Sequence, residues 1–221
     1  MIDLEQATQL FECDLQPQRA YEDDPVLAAD NWADNAALIV DCVRLGYLQA
    51  DWLTLDPTYG RGLWWTRWQP DQLITHDLRK DGVDFRALPY PEGHFQASVF
   101  DPPYIAQGGR ASSTAQDYLD RFGLFDAPPN PRALQEYINA GLSEVCRVTY
   151  GPILVKCKDY ISSGEFQPGT HWTLDHAFSL GLDCIDRFEH LGGAGLQPPG
   201  RRQIHARRNL STLFVFRKGK A

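Results

Sequence analysis

Ala97-Ser98-Val99-Phe100-Asp101-Pro102-Pro103-Tyr104 is the stretch on which the fold turns. A short, largely apolar run passes directly into an acid, two prolines and an aromatic ring, and a Gly-containing polar segment follows. The pattern predicts a buried strand with a stiff loop at its carboxyl end, where open α/β sheets place their ligands. The prolines fix φ and carry no N–H, so the loop is rigid and its carbonyl oxygens are left to accept hydrogen bonds. Asp101 adds a carboxylate acceptor and Tyr104 a flat face. Two acceptors and a stacking surface suit an exocyclic amine on a planar ring.

A second motif lies upstream, Leu53-Thr54-Leu55-Asp56-Pro57-Thr58-Tyr59-Gly60-Arg61-Gly62-Leu63-Trp64-Trp65. An apolar strand leads to an acid, then to a turn with two glycines, then to a segment suited to a helix over Gly60 to Trp68. Glycines let a backbone approach a ligand more closely than a Cβ allows. Between the motifs, Leu73 to Asp77 reads as a short strand ending in an acid. Val83-Asp84-Phe85 reads as a further short strand in a turn-rich segment.

With these two motifs in this order, the chain resembles the S-adenosylmethionine-dependent amino-methyltransferases of nucleic acids, from about Trp32 to the C-terminus. The resemblance implies a Rossmann-like α/β fold with a seven-stranded, mainly parallel sheet. Helices would cover both faces and an antiparallel hairpin would close one edge. It implies S-adenosyl-L-methionine as the cofactor. Asp56, Pro57, Thr58, Tyr59, Gly60 and Gly62 match the loop that holds its methionine part, with Tyr59 in place of the more usual Phe. Asp77 matches the acid that takes the ribose hydroxyls, and Asp84 with Phe85 the adenine contact, with Asp81 a neighbouring alternative. Asp101, Pro102, Pro103 and Tyr104 match the catalytic loop that grips the target amine. No metal is implied.

The Asp-Pro-Pro-Tyr form resembles adenine-N6 enzymes of DNA, whereas Ser-Pro-Pro-Tyr is more associated with cytosine-N4. The alternatives are cytosine-N4 in DNA, an RNA base amino-methyltransferase acting on adenine-N6 or guanine-N2, and a cofactor-binding regulator without turnover. A protein-glutamine methyltransferase is a further option, although that group favours Asn at the position of Asp101. The chain has less length than enzymes with a dedicated recognition domain. Recognition is therefore expected from residues 105–131 and 192–209 or from a separate recognition subunit, or the context preference is loose; a homodimer is a further expectation for partners.

Composition agrees with one catalytic domain over the 221 residues, with 43% hydrophobic and 23% charged positions. No run approaches the roughly 20 apolar residues of a membrane span. The first residues have neither the basic start nor the apolar core of a secretory signal, and the five cysteines are scattered. A cytoplasmic protein with reduced thiols is expected. The net charge of −8 argues against general binding to phosphate backbones, but no acid occurs from Leu191 onward. In that segment Arg201, Arg202, Arg207 and Arg208 are the candidate nucleic-acid contacts.

Periodicity places helices at Asn35 to Leu48, Arg132 to Arg147 and Thr173 to Gly181. Strands are expected at Trp52 to Asp56, Ala97 to Asp101, Pro152 to Cys157, Cys184 to Phe188 and Leu210 to Phe216. The long connection Ile105 to Pro131, with a helical piece at Ala115 to Phe122, follows the catalytic loop and reads as a lid or a substrate-contacting segment. Trp64, Trp65 and Trp68 are expected to pack against the sheet. Lys156, Lys158 and Asp159 end a strand close to the ligand edge, and ordinary surface pairing explains them equally well. His171 and His176 have the wrong spacing for a metal on one helix face.

Overall fold

A computed structural model describes residues 32–104, 128–192, 204–206 and 209–219. In chain order the elements are α1 (Asn35–Arg44), β1 (Leu53–Asp56), β2 (Gln72–Thr75), β3 (Ala97–Phe100), α2 (Pro131–Val148), β4 (Ile153–Cys157), β5 (Tyr160–Ser162), β6 (Glu165–Gln167), α3 (Gly169–Ser179), β7 (Leu182–Leu191) and β8 (Leu210–Lys218). Six strands form one sheet in the order β2-β1-β3-β4-β8-β7. The first four are parallel. β8 runs antiparallel to both β4 and β7, so the expected edge hairpin is present.

Alternation along the central strands sorts side chains to the two faces of the sheet. Leu55, Phe100, Ile153, Val155, Phe214 and Phe216 pack with Leu134, Ile138, Leu142 and Val145 of α2 and Ala177 of α3. Ala97, Val99, Leu154, Leu213 and Val215 pack with Leu38, Ile39 and Cys42 of α1 and with Trp64 and Trp65. Asp34 starts α1 by accepting from the Ala37 N–H at 2.8 Å, and Asn130 starts α2 in the same way through Ala133. Pro131 at the first turn of α2 lacks only an N–H that would have had no helical partner.

Three features differ from expectation. Among the described residues the sheet has six strands rather than seven, because Val83-Asp84-Phe85 pairs with no strand and runs into a turn at Phe85-Arg86. There the Asp84 carboxylate accepts from the Arg86 N–H at 2.8 Å, and the Ala87 N–H reaches the Asp84 carbonyl at 2.9 Å. Side-chain capping of this kind competes with a strand ladder. The segment after the glycine loop is a single 3-10 turn, Leu63–Trp65, instead of an α-helix to Trp68. Gly62 enters it at φ +69° and the Trp65 N–H bonds the Gly62 carbonyl at 3.1 Å. Finally, β5 and β6 form an unforeseen hairpin whose two-residue turn, Ser163-Gly164, has positive φ at both positions. That is the type I′ geometry favoured by strand twist.

Candidate active site

β1 and β3 are adjacent and parallel, with Thr54 opposite Ala97 and Leu55 opposite Ser98. The loops leaving their carboxyl ends therefore emerge side by side, and both sequence motifs meet at one edge of the sheet. Asp56, the last residue of β1, is 2% exposed. Its carboxylate accepts from the Trp65 indole at 2.7 Å, from the Thr58 N–H at 2.9 Å and from the Thr58 hydroxyl at 3.3 Å. Burial pushes this carboxyl up to about 7, against the opposing pull of those hydrogen bonds and with a further push from the charge of Asp101.

Asp101 follows directly on β3. The Thr58 hydroxyl accepts from its backbone N–H at 2.9 Å, so one side chain joins the two loops. The Trp64 indole donates to one Asp101 carboxylate oxygen at 3.0 Å, and the Tyr104 hydroxyl donates to the other. A carboxylate offers about four lone-pair positions, so these two donors leave capacity for further N–H groups. Pro102 and Pro103 are buried between Asp101 and Tyr104, which are half-buried.

The glycine loop is tied to the end of β2. The Tyr59 N–H bonds the His76 carbonyl at 3.0 Å, and the His76 N–H bonds the Asp56 carbonyl at 2.9 Å. Asp77 lies two residues beyond β2, half-buried, with one carboxylate oxygen accepting from the Arg79 N–H at 2.9 Å. Lys80 donates to the Gly60 carbonyl and lies 5.0 Å from the Tyr59 ring centre. A Cβ on Gly62 would sit 2.5 Å from the Tyr59 hydroxyl oxygen, so the close approach of that ring requires glycine. Asp81 bonds His76 at 2.7 Å, and His76 bonds Tyr90 at 2.5 Å, which organises the turn below the loop.

The expected adenine-side pair is arranged differently from expectation. Burial raises the Asp84 carboxyl, but hydrogen bonds from Arg86 outweigh this and hold it below its ordinary value. Phe85 is a core side chain at 8% exposure, with its ring 5.2 Å from Phe100 and 4.9 Å from Tyr137 between centres. It offers no open face to a ligand.

Two groups of residues carry more than their sequence suggested. Trp64 and Trp65 do pack against the sheet, but their indole N–H groups also engage Asp101 and Asp56. The signal was present, since a buried indole N–H needs an acceptor and the nearest motif acids supply one each. Lys156 is not a surface residue. It is 5% exposed, bonded to the Asn35 side-chain oxygen and to His190 Nδ1 at 3.2 Å, with its ammonium 5.1 Å from the Trp64 ring centre. Arg201, Arg202, Arg207, Arg208, Ala115 to Phe122 and most of 105–131 and 192–209 lie outside the described residues.

No protein-family profile and no curated sequence matches the chain. Among solved structures, it resembles a "putative methyltransferase" from Bacillus halodurans at 13% identity and a TM-score of 0.53, covering 86% of this chain and 100% of that one. A "putative DNA modification methylase" from Thermus thermophilus aligns at 16% identity and a TM-score of 0.43, over 63% of this chain. The present chain spans only 53% of the Thermus protein's length. The PvuII cytosine-N4-specific DNA methyltransferase aligns at 16% identity and a TM-score of 0.35, over 59% of this chain and 44% of its own. The likeness to the Bacillus structure is one of fold, a Rossmann-like α/β sheet that has six strands among the described residues.

Proposed function

We propose that this chain is an S-adenosylmethionine-dependent N-methyltransferase acting on the exocyclic amine of a nucleobase, with N6 of adenine in DNA the first candidate. One observation supports the reading: Thr58 bonds both Asp56 and the Asp101 N–H, so the glycine loop and the Asp-Pro-Pro-Tyr loop lie side by side.

The residues present fit the cofactor. Gly60 and Gly62 have positive φ and keep side chains out of the loop, and Gly62 has no room for a Cβ beside Tyr59. Asp77 presents a partly exposed carboxylate for ribose hydroxyls at the end of the neighbouring strand. With Phe85 in the core, contact on the adenine side falls to Asp84 and the adjoining backbone. Asp56, Pro57, Thr58 and Tyr59 shape the remainder of the loop. When bound, S-adenosylmethionine supplies an electrophilic methyl group on a sulfonium.

The chain's own residues have to make a poor nucleophile reactive. The lone pair of an aromatic amine is delocalised into its ring. In this reading the Asp101 carboxylate and the Pro102 carbonyl accept the two N–H groups and favour a pyramidal nitrogen. Pro103 holds the loop stiff, and Tyr104 supplies a face for the ring. Orientation of the reacting groups can account for about 7–11 kcal/mol of barrier lowering. Acceptors fixed before the charge develops add an electrostatic part. A base within a duplex must leave its stack to reach this edge.

DNA is proposed over RNA on the form of the catalytic loop. Arg201, Arg202, Arg207 and Arg208 are the proposed phosphate contacts in an otherwise acidic chain. The test is transfer of labelled methyl to duplex DNA, to tRNA and to rRNA, followed by mass spectrometry of the nucleosides. N6-methyladenine from DNA supports the first reading, and label in RNA alone moves the substrate to RNA. Cofactor binding without transfer to any nucleic acid overturns the enzymatic reading. Arg201→Ala with Arg202→Ala should flatten the salt dependence of DNA binding.

A further inference from the structure

We propose that Lys156 is a positioning residue for Asp101 that acts through the Trp64 indole; this rests on the reading of Asp101 as the amine acceptor. Lys156 stands on β4, the strand beside β3, and its side chain is buried. The ammonium bonds the Asn35 side-chain oxygen from α1 and Nδ1 of His190 from β7, and it lies against the Trp64 ring. None of these is a carboxylate. Since an ammonium only donates, His190 must present a lone pair at Nδ1 and carry its proton on Nε2.

A buried ammonium ordinarily sits beside an anion. Burial holds the Lys156 ammonium below its ordinary value, and the acid whose charge works against that loss is Asp101, which is tied to Trp64. The indole thus has a cation against its ring and a carboxylate at its N–H. A cation is drawn to the electron-rich face of an indole. By withdrawing density from the ring it makes the in-plane N–H a stronger donor. That donor meets one oxygen of Asp101 at 3.0 Å, while Tyr104 holds the other. The carboxylate plane is fixed, and with it the direction of the lone pairs left for the substrate. Packing does not account for lysine here, because an apolar side chain of similar volume fills buried space without an ion to desolvate.

The test combines an activity-free measurement with kinetics. Tryptophan is labelled with nitrogen-15, and Trp64→Phe assigns the Trp64 indole resonance. In Lys156→Gln this proton should move upfield, while the Trp65 indole on Asp56 stays in place. Turnover should fall roughly tenfold with KM for nucleic acid and affinity for S-adenosylhomocysteine held within about twofold. Lys156→Gln combined with Trp64→Phe should lose no more turnover than Trp64→Phe alone. Lys156→Met, apolar and of matched length, is the second variant should Lys156→Gln not fold. An unmoved Trp64 resonance, or independent losses in the double variant, overturns the proposal. If the wild-type protein methylates no nucleic acid, the proposed function falls, and the indole resonance still decides the Lys156–Trp64–Asp101 coupling.

Discussion

The Thr58 hydroxyl accepts the Asp101 backbone N–H at 2.9 Å and contacts the Asp56 carboxylate at 3.3 Å, joining the ends of two neighbouring strands. Thr58→Val keeps the side-chain shape and deletes this junction. Leaving the Asp101 N–H without its acceptor should cost about 1–3 kcal/mol. Urea unfolding and turnover measured on the same preparation check it, and both should fall.

Asp101 and Asp77 sit at the ends of different strands and should fail differently. Asp101→Ala is expected to retain cofactor affinity and lose about a hundredfold or more in turnover. Asp77→Ala should first weaken cofactor binding, seen by calorimetry, with turnover partly restored at high cofactor concentration. Identical effects in both variants would contradict the division of roles.

Asp56 makes stability depend on pH. Burial raises its folded value to about 7 from an ordinary 3.8. Between these values the folded state holds a proton that the unfolded state has released. Its contribution is therefore fully present below about pH 4 and is lost as pH rises through about 7. The span corresponds to as much as about 4 kcal/mol. Urea midpoints at about pH 5 and about pH 8 should differ more in the wild type than in Asp56→Asn, which has no proton to lose. Because Trp65 donates to this carboxylate, intrinsic fluorescence should titrate in the same range and cease to do so in Trp65→Phe.

The two loop glycines should not respond alike. Both have positive φ, so alanine at either costs about 1–2 kcal/mol in the backbone. At Gly60 a new Cβ meets nothing nearer than the Thr58 carbonyl at 3.8 Å, whereas at Gly62 it collides with the Tyr59 hydroxyl. Gly62→Ala should lose cofactor affinity beyond Gly60→Ala, and Tyr59→Ala should relieve that extra loss.

The central sheet was legible because its strands are short apolar runs ending in acids or turns. Ala97–Phe100 and Ile153–Cys157 are wholly buried and lie within a residue of where the pattern put them. Harder to read were segments in which side chains replace backbone pairing. Asp84 captures Arg86 and dissolves a strand, and Phe85 then falls into the core. Ser163-Gly164 was a hairpin signal, but the flanking strands are three residues each and too short for a clear alternation. Lys156 stayed ambiguous because nothing in the run Ile153–Cys157 shows that its lysine is buried against Asn35, Trp64 and His190 from three other segments.

The chain crosses from β1 to β2, and from β2 back to β3, without an α-helix in either connection. Those stretches hold together through indoles, carboxylates and short turns, so few of their amides are locked in repeating ladders. Hydrogen exchange should accordingly be uneven, fast over 57–71 and 77–95 and slow in α2, β4 and β8. A ligand seated between the two loops would brace the faster half, and slowed exchange there would serve as an assay of occupancy before any product is known.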